Sequence, residues 1–315
     1  MILSFSLACL GLGVLMWSCD TFVDWARETA VHLKVSPMVI GLTIVAFGTS
    51  APELVVSVHS AAIGSGALAV GNIAGSNIAN TLLILGAAAV IRPVVVGRNN
   101  FIRDTFVWAA ATVALVGFAY GGEFNWPIGL LFIAGLALYL SVLFRSEKTV
   151  EAVVPREDVV EHKPRSFWRS YGLPILLLAG IGFGAHLAVE NSVDLARGLG
   201  VSEAIIGVTL LAVGTSLPEL ATALVCIRKA ESEMLVGNVI GSNIFNILAV
   251  MGVASLVAPI AVPPHMLLVD FPVLLAVTVA SLFFLRTNWL LSRREGYACL
   301  AGYTAYLGSI AAKLI

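Results

Sequence analysis

Charged side chains are scarce in this sequence. Of its 315 residues, 12% are lysine, arginine, aspartate or glutamate, whereas 59% are hydrophobic and the mean hydropathy is +0.96. Soluble domains carry about 25% charged residues. The composition therefore argues against a soluble enzyme and predicts an integral membrane protein, surrounded by lipid and without a nucleic-acid partner.

Cysteine and N-terminal basic residues are also in short supply. The four cysteines, Cys9, Cys19, Cys226 and Cys299, lie in apolar runs and none has the spacing of a metal or redox motif. No basic residue precedes Arg27, so the first apolar run lacks the positive region of a cleavable signal peptide. We expect this run to be a retained membrane span.

Long apolar runs fill the rest of the chain. A helix needs about 20 apolar residues to cross roughly 30 Å of hydrocarbon, and ten runs of that kind occur. They are residues 2–25, 36–62, 66–91, 102–121, 125–145, 170–195, 202–227, 233–258, 265–285 and 294–314. The sequence thus predicts an all-α membrane protein with ten transmembrane helices, five before and five after a polar linker at 146–169.

The basic residues predict the orientation. With ten spans, all but two of the 18 lysines and arginines lie in loops on one side, and the exceptions are Arg197 and Lys313. Cytoplasmic loops carry the excess of basic residues in membrane proteins. We therefore expect the 146–169 linker in the cytoplasm and both termini outside.

One unit is used twice. Residues Ile40–Gly86 align with Ile206–Gly252 at a constant offset of 166, without a gap, with 20 identities in 47 positions. Each half, 1–145 and 170–315, holds an odd number of spans, so the second half must enter the membrane from the opposite face. Such an inverted repeat is typical of secondary transporters that bind their substrate where the halves meet, near the midplane.

Each copy of the repeat carries one acidic residue deep in an apolar span. Glu53 and Glu219 each lie 17 residues into their spans, and neither span contains a lysine or arginine. A charge at the centre of a bilayer costs about 2.5–3.5 kcal/mol or more. A carboxylate in such a place should bind a proton or a cation, and the absence of a fixed partner indicates a mobile one.

The residues around each glutamate are suited to a hard cation. Pro52 and Pro218 lack an amide hydrogen and should break the helix just before each glutamate, which would free the carbonyls near Ala46 and Ala212. Hydroxyl groups lie within a turn of each carboxylate; they belong to Thr49, Ser50, Thr215 and Ser216. Carboxylate, carbonyl and hydroxyl oxygens are ligands of Ca²⁺, Mg²⁺ and Na⁺. No histidine or cysteine accompanies them, which disfavours zinc or copper.

The following span of each half adds further polar residues. The segments GNIAGSNIAN (71–80) and GNVIGSNIFN (237–246) place a serine and an asparagine four residues apart on one helix face. These residues are Ser76 and Asn80 in the first half and Ser242 and Asn246 in the second. The glycine pairs in the same segments, four residues apart, predict close approach to a neighbouring helix.

The paired motifs GTSAPEL…GNIAGSNIAN and GTSLPEL…GNVIGSNIFN resemble the two alpha-repeats of the sodium/calcium exchanger family, within the cation/calcium antiporter superfamily. The resemblance covers the whole chain and is to the prokaryotic type. It implies ten helices in two inverted halves, with ions held between the second, third, seventh and eighth helices. It also implies a transporter with no prosthetic group, for which an oligomer is not required.

The resemblance implies a role for each motif residue. It makes Glu53 and Glu219 the shared Ca²⁺ and Na⁺ carboxylates, Thr49, Ser50, Thr215 and Ser216 hydroxyl ligands, Ala46 and Ala212 carbonyl ligands, Ser76 and Ser242 flanking Na⁺ ligands, and Asn80 and Asn246 midplane ligands. Some relatives carry aspartate at the position of Asn246. With asparagine here, the site has two carboxylates, which leaves the Na⁺ stoichiometry open and disfavours potassium dependence.

The function predicted is exchange of Ca²⁺ for Na⁺ by alternating access, in a prokaryotic inner membrane. Two other readings stay open. Protons could replace Na⁺ as the counter-ion on the same scaffold, because a buried carboxylate readily binds a proton. A passive cation channel could also use two acidic residues, and it would conduct far faster than a carrier.

Overall fold

The computed structural model describes residues 1–150, 166–201, 206, 210, 212–286 and 289–312, with the backbone alone for 98–100, 147–150 and 212. In the first half the helices are α1 (Ile2–Leu33), α2 (Pro37–Ile40), α3 (Ala46–Thr49), α4 (Ala51–Ala62), α5 (Gly66–Ile78), α6 (Leu85–Ile91), α7 (Arg98–Ala119) and α8 (Trp126–Val150). Those in the second half are α9 (Leu173–Gly198), α10 (Ala212–Gly214), α11 (Leu217–Arg228), α12 (Ser232–Phe245), α13 (Gly252–Val257), α14 (Pro264–Leu268), α15 (Asp270–Arg286) and α16 (Arg293–Ala311). Turns of π-helix occupy Gly41–Val45, Ala79–Ile84, Trp168–Gly172 and Asn246–Met251.

Seven helical segments of the described chain are long and apolar enough to cross a membrane, or eight if the bent pair Pro37–Thr49 and Ala51–Ala62 forms one span. The predicted span 202–227 falls partly outside the described residues. The predicted last span is present as α16, but its first three residues are charged, and it is not among the seven. The structure therefore shows a multi-span helical membrane protein, and the count of ten stays a prediction.

Two helices extend well beyond the ends of their predicted spans. Helix α1 continues to Leu33, beyond the predicted end at residue 25, and α8 continues to Val150, into the predicted linker. Hydropathy marks only the part of a helix that lies in hydrocarbon. Polar residues of good helix propensity extend the same helix into water. The greater part of the predicted linker, residues 151–165, lies outside the described residues.

Two short antiparallel strand pairs tie the halves together. Strand β1 (Val94–Val95) pairs with β4 (Leu290–Leu291), and β2 (Glu123–Phe124) pairs with β3 (Ile260–Ala261). Each pair joins the segment after one helix, α6 or α13, to the segment before another, α16 or α8. Both connections run from one half of the chain to the other.

Glycines allow the central helices to touch. A Cβ atom on Gly11 of α1 would lie 2.8 Å from the Gly184 carbonyl oxygen of α9, and one on Gly241 of α12 would lie 2.7 Å from the Leu42 carbonyl oxygen. The predicted close approach is thus present for α12. A Cβ on Gly71 would meet no described atom within 4 Å. Its repeat mate Gly237 packs on Met38 and Leu42, and the equivalent positions, 204 and 208, lie outside the described residues.

Candidate functional site

Both glutamates lie in the first turn of a helix that begins at a break in its membrane span. The helix axis bends by 46° between α3 and α4, at Ser50, whose backbone angles are φ −83° and ψ 7°. The break between α10 and α11 has nearly the same geometry, with φ −87° and ψ 8° at Ser216. The predicted interruption before each glutamate is therefore confirmed. It places Glu53 and Glu219 in the first turn of α4 and α11, where the helix dipole favours negative charge.

The Ala46 carbonyl oxygen still accepts hydrogen bonds beside the break in the first half. Its oxygen accepts a hydrogen bond from the Ser50 amide at 3.0 Å, and the Thr49 hydroxyl lies 3.4 Å away. A carbonyl oxygen has two lone pairs, so a cation there would compete with Thr49. The break therefore does not leave the Ala46 carbonyl without a hydrogen bond, and its role as an ion ligand stays a prediction. Of its repeat mate, Ala212, only the backbone in α10 is described.

The two carboxylates are completely buried and each is approached by hydroxyl groups. Ser50 donates a hydrogen bond to Glu219 Oε1 at 3.0 Å, so the motif of the first half holds the carboxylate of the second. Ser76 donates to Glu53 Oε1 at 3.4 Å. Ser216 also interacts with Glu53, although its hydroxyl makes no hydrogen bond of regular geometry within the described residues. The two carboxylates are close enough to repel each other.

Six buried oxygen atoms of the predicted site residues have no hydrogen-bond partner among the described residues. They are Glu53 Oε2, Glu219 Oε2, Asn80 Oδ1, Asn246 Oδ1, Ser216 Oγ and Ser242 Oγ. Such atoms are rare in native interiors, and each one calls for an explanation. Ca²⁺ takes 6–8 oxygen ligands. These six oxygens, two of them from carboxylates, have the chemistry of a hard-cation site, and no group of three or more histidine, cysteine or acidic residues competes with it in the described chain.

The remaining predicted site residues differ in burial and in their contacts with the carboxylates. Asn80, Asn246 and Ser242 are completely buried. Thr49 is buried, within 3.3 Å of Asn238 Oδ1, and interacts with Glu219. Thr215, the repeat mate of Thr49, is only half-buried. Among the described residues, the first half therefore supplies more of the hydroxyl contacts to the carboxylates than the second.

Sequence reasoning missed four asparagines beside the site: Asn72, Asn77, Asn238 and Asn243. Asn72 donates to the Glu53 carbonyl oxygen at 3.3 Å and to Ser57 Oγ at 2.9 Å. The signal was present in the sequence, because all four stand at positions identical between the halves.

Sequence reasoning also missed the π-helical turns. Asn80 and Asn246 lie in the turns Ala79–Ile84 and Asn246–Met251. Turns of this kind occur often at functional sites. Because a π-turn is closed by an i→i+5 hydrogen bond, the side chains after it point in a different direction from those of a regular α-helix.

The chain is similar to proteins that are known. The family model described as sodium/calcium exchanger protein matches residues 3–145 and 169–311. A protein named putative antiporter CaxA, from Alkalimonas amylolytica, is 38% identical over 307 residues, covering 94% of this chain and 95% of that one. The inner membrane protein YrbG of Escherichia coli is 36% identical over 289 residues, with 89% and 87% covered. A solved structure of the sodium-calcium exchanger NCX_Mj, soaked with Na⁺ and Ca²⁺, superposes with a TM-score of 0.84 at 30% identity, covering 98% of this chain and 99% of that one.

Proposed function

The chain belongs to the sodium/calcium exchanger family, and from this premise we propose that it exchanges Ca²⁺ for Na⁺ across a membrane by alternating access. The ions bind between Glu53 and Glu219. Membership of the family makes it a cation/Ca²⁺ antiporter rather than an enzyme. The choice of Na⁺ as counter-ion and of these two carboxylates as the binding groups is our proposal.

One observation carries this proposal: each half contributes one completely buried carboxylate that has an unpartnered oxygen within the described residues. A buried charge is strongly unfavourable unless it is paired. Neither carboxylate has a lysine or arginine partner in that part of the chain. A transported cation, bound reversibly, would neutralise both carboxylates.

The same charges explain how transport is coupled. Two carboxylates are balanced by one Ca²⁺ or by two Na⁺. The empty site carries two uncompensated charges, which disfavours any rearrangement that moves it through the apolar centre of the membrane. Filling the site with either ion removes that barrier. A third Na⁺ would bring one net charge across in each cycle, worth about 2.3 kcal/mol per 100 mV.

The proposed architecture is ten transmembrane helices in two inverted halves, 1–145 and 170–315, joined by the linker 146–169. The contacts between α5–α6 and α12–α13 support it. Asn77 contacts Asn246 and the later residue Asn80 contacts the earlier residue Asn243, so these equivalent segments run in opposite directions. The strand pairs support it too, because β1 and β3 are equivalent in the two halves and each pairs with a strand of the other half.

We further propose that the protein lies in a prokaryotic inner membrane with both termini outside and the linker in the cytoplasm. The support is the distribution of lysine and arginine between the two sides.

Proton/Ca²⁺ exchange is the second candidate. Two protons would neutralise the same two carboxylates as two Na⁺, and the unpartnered Oε2 atoms could accept them.

Counter-ion replacement tests the proposal. Purified protein is reconstituted in proteoliposomes loaded in turn with Na⁺, K⁺, Li⁺ or an acidic Na⁺-free buffer, and ⁴⁵Ca²⁺ uptake is measured. We expect uptake with Na⁺ inside and loss of uptake in Glu53→Ala and Glu219→Ala. Uptake driven only by the pH gradient would establish the proton mechanism instead.

Protein-free liposomes control for leak. Currents far above carrier rates under voltage clamp would identify a channel. Transport that survives both alanine substitutions would overturn the site.

A further inference from the structure

Two of the missed asparagines, Asn77 and Asn243, lie completely buried where α5 crosses α12. Neither has an unpartnered side-chain atom in the described chain, unlike the site asparagines Asn80 and Asn246, whose Oδ1 atoms are unpartnered there. The two pairs of asparagines therefore differ in what they do.

Each inner asparagine binds the amide nitrogen of a site asparagine from the other half. Asn246 Nδ2 donates to Asn77 Oδ1 at 3.2 Å, and Asn80 Nδ2 donates to Asn243 Oδ1 at 3.4 Å. An asparagine amide carries its donor and its acceptor on one carbon. Once the nitrogen is held in this way, the oxygen must point elsewhere, and at both site asparagines it is the atom left for a cation.

Thr81 sets the direction of this network. Its hydroxyl donates to the Asn77 carbonyl oxygen at 2.7 Å, so its one hydrogen is used, and its oxygen accepts from Asn243 Nδ2 at 3.3 Å. Asn243 therefore presents its oxygen to Asn80 and cannot be reversed without losing the bond to Thr81.

The direction is set differently in the other half. The repeat mate of Thr81 is Ile247, which has no hydroxyl. There Asn77 Nδ2 contacts the Asn243 carbonyl oxygen directly, at 3.5 Å. Both inner amides are thus oriented by an acceptor that faces their nitrogen.

We propose that Asn77 and Asn243 are positioning residues that orient the amides of Asn80 and Asn246, across the two halves, so that the site presents carbonyl oxygens and not NH₂ groups to the cation. This inference rests on the proposed function. It assigns to the residues behind the site a role in choosing between Ca²⁺ and Na⁺. The energy of an ion next to a dipole is proportional to the charge of the ion, so a reversed amide weakens Ca²⁺ binding more than Na⁺ binding.

The test compares Asn243→Ala and Thr81→Val with the wild-type protein. Thr81→Val removes the hydroxyl that orients Asn243 and keeps the shape of the side chain. Thr112→Val is the matched control, because Thr112 is a buried threonine whose hydroxyl bonds the Trp108 carbonyl oxygen of its own helix, α7. Apparent affinities for Ca²⁺ and Na⁺ are measured by transport in proteoliposomes and by ion-dependent thermal stabilisation in detergent.

We expect Asn243→Ala to weaken Ca²⁺ binding by about 10- to 100-fold, as is usual when a residue that orients a metal ligand is lost. For Thr81→Val, which loses one hydrogen bond, we expect about three- to tenfold. Na⁺ affinity should fall less in both variants, and Thr112→Val should change neither. A residue that only maintained packing would alter the two affinities alike.

Unchanged Ca²⁺ affinity in Thr81→Val and in a folded Asn243→Ala would overturn the inference, and so would equal losses for both ions. Glu53→Gln separates this failure from failure of the proposed function. If that variant loses transport while the network variants keep wild-type affinities, the site stands and the positioning role falls. If it retains transport with the wild-type affinity for Ca²⁺, the assignment of Glu53 to the ion site is wrong.

Discussion

Replacing Glu219 with glutamine removes one of the two site charges and almost nothing else. Glutamine has the same shape as glutamate, and its Oε1 can still accept the 3.0 Å hydrogen bond from Ser50. The side chain should therefore stay where it is, completely buried in the first turn of α11. Any effect on Ca²⁺ binding then reports the charge.

The size of the effect follows from electrostatics. Two unit charges 4 Å apart interact by about 4 kcal/mol at an effective dielectric constant of 20, so a divalent ion and one carboxylate interact by about 8 kcal/mol. The cost of burying the carboxylate cancels a large part of this. If only a quarter remains, about 2 kcal/mol, the dissociation constant for Ca²⁺ rises by roughly 30-fold.

Thermal unfolding in detergent measures this change without transport. At a Ca²⁺ concentration 100 times the wild-type dissociation constant, binding stabilises the native state by about 2.7 kcal/mol. At the same concentration, a variant with a dissociation constant 30-fold higher gains only about 0.9 kcal/mol. In chelator, Glu219→Gln should melt at or above the wild-type temperature, because one buried charge without a partner is gone.

Glu190→Gln is the control for this experiment. Glu190 is exposed and pairs with His186 one turn away in α9, so Ca²⁺ stabilisation should match the wild type. Equal Ca²⁺ stabilisation of Glu219→Gln and the wild type would refute the reasoning. A melting temperature in chelator well below that of the wild type would show that Glu219 has a structural partner instead.

Three further predictions follow from the packing and charge of the described residues. A Cβ on Gly241 would lie 2.7 Å from the Leu42 carbonyl oxygen, whereas one on Gly13 meets nothing within 4 Å of the described chain; Gly241→Ala should thus cost about 1–3 kcal/mol of stability, and equal melting temperatures for Gly241→Ala and Gly13→Ala would contradict the close packing of α12. Lys229 pairs with Asp20 at 3.2 Å and with Asp24 at 2.6 Å, where α1 meets the end of α11; because these groups are partly exposed, Lys229→Met should cost under about 1 kcal/mol, and a much larger loss in denaturant titration would show that the cluster is shielded from solvent. Metal ligands must be deprotonated to bind, so lowering the pH should weaken Ca²⁺ binding through competition for the two carboxylates, and Ca²⁺ uptake with the same apparent affinity at every pH would argue against carboxylate ligands.

The sequence predicted those candidate site residues that lie in the duplicated motifs. Glu53 and Glu219 stand out because a charge in an apolar run is costly wherever it lies, and Pro52 predicts the break that the structure shows as a 46° bend. The state of the Ala46 carbonyl was beyond this reasoning, because it depends on contacts with the Ser50 amide and the Thr49 hydroxyl that the pattern does not specify. The roles of the motif residues as ion ligands stay predictions.

The asparagine network could not be predicted in the same way. Asn77 and Asn243 are visible as repeated residues, but the pattern does not say which atoms they contact. Their partners are chosen by the crossing of α5 with α12, and by the π-helical turn at Ala79–Ile84, for which the sequence has no recognisable signature. A shift of one residue in that turn would move Asn80 away from Asn243.

The sequence by itself determined that this protein is helical, lies in a membrane, and carries two acids that must find a partner there. These properties follow from the transfer of each residue from water to an apolar medium, which depends on residue type and position along the chain and can be summed without knowing the fold. Only the tertiary structure decided that Ser50 reaches Glu219, 169 residues away, and that both halves bury oxygens without a partner among the described residues. A hydrogen bond forms only when two atoms come within about 3 Å at a suitable angle, and the packing of the helices alone sets that distance.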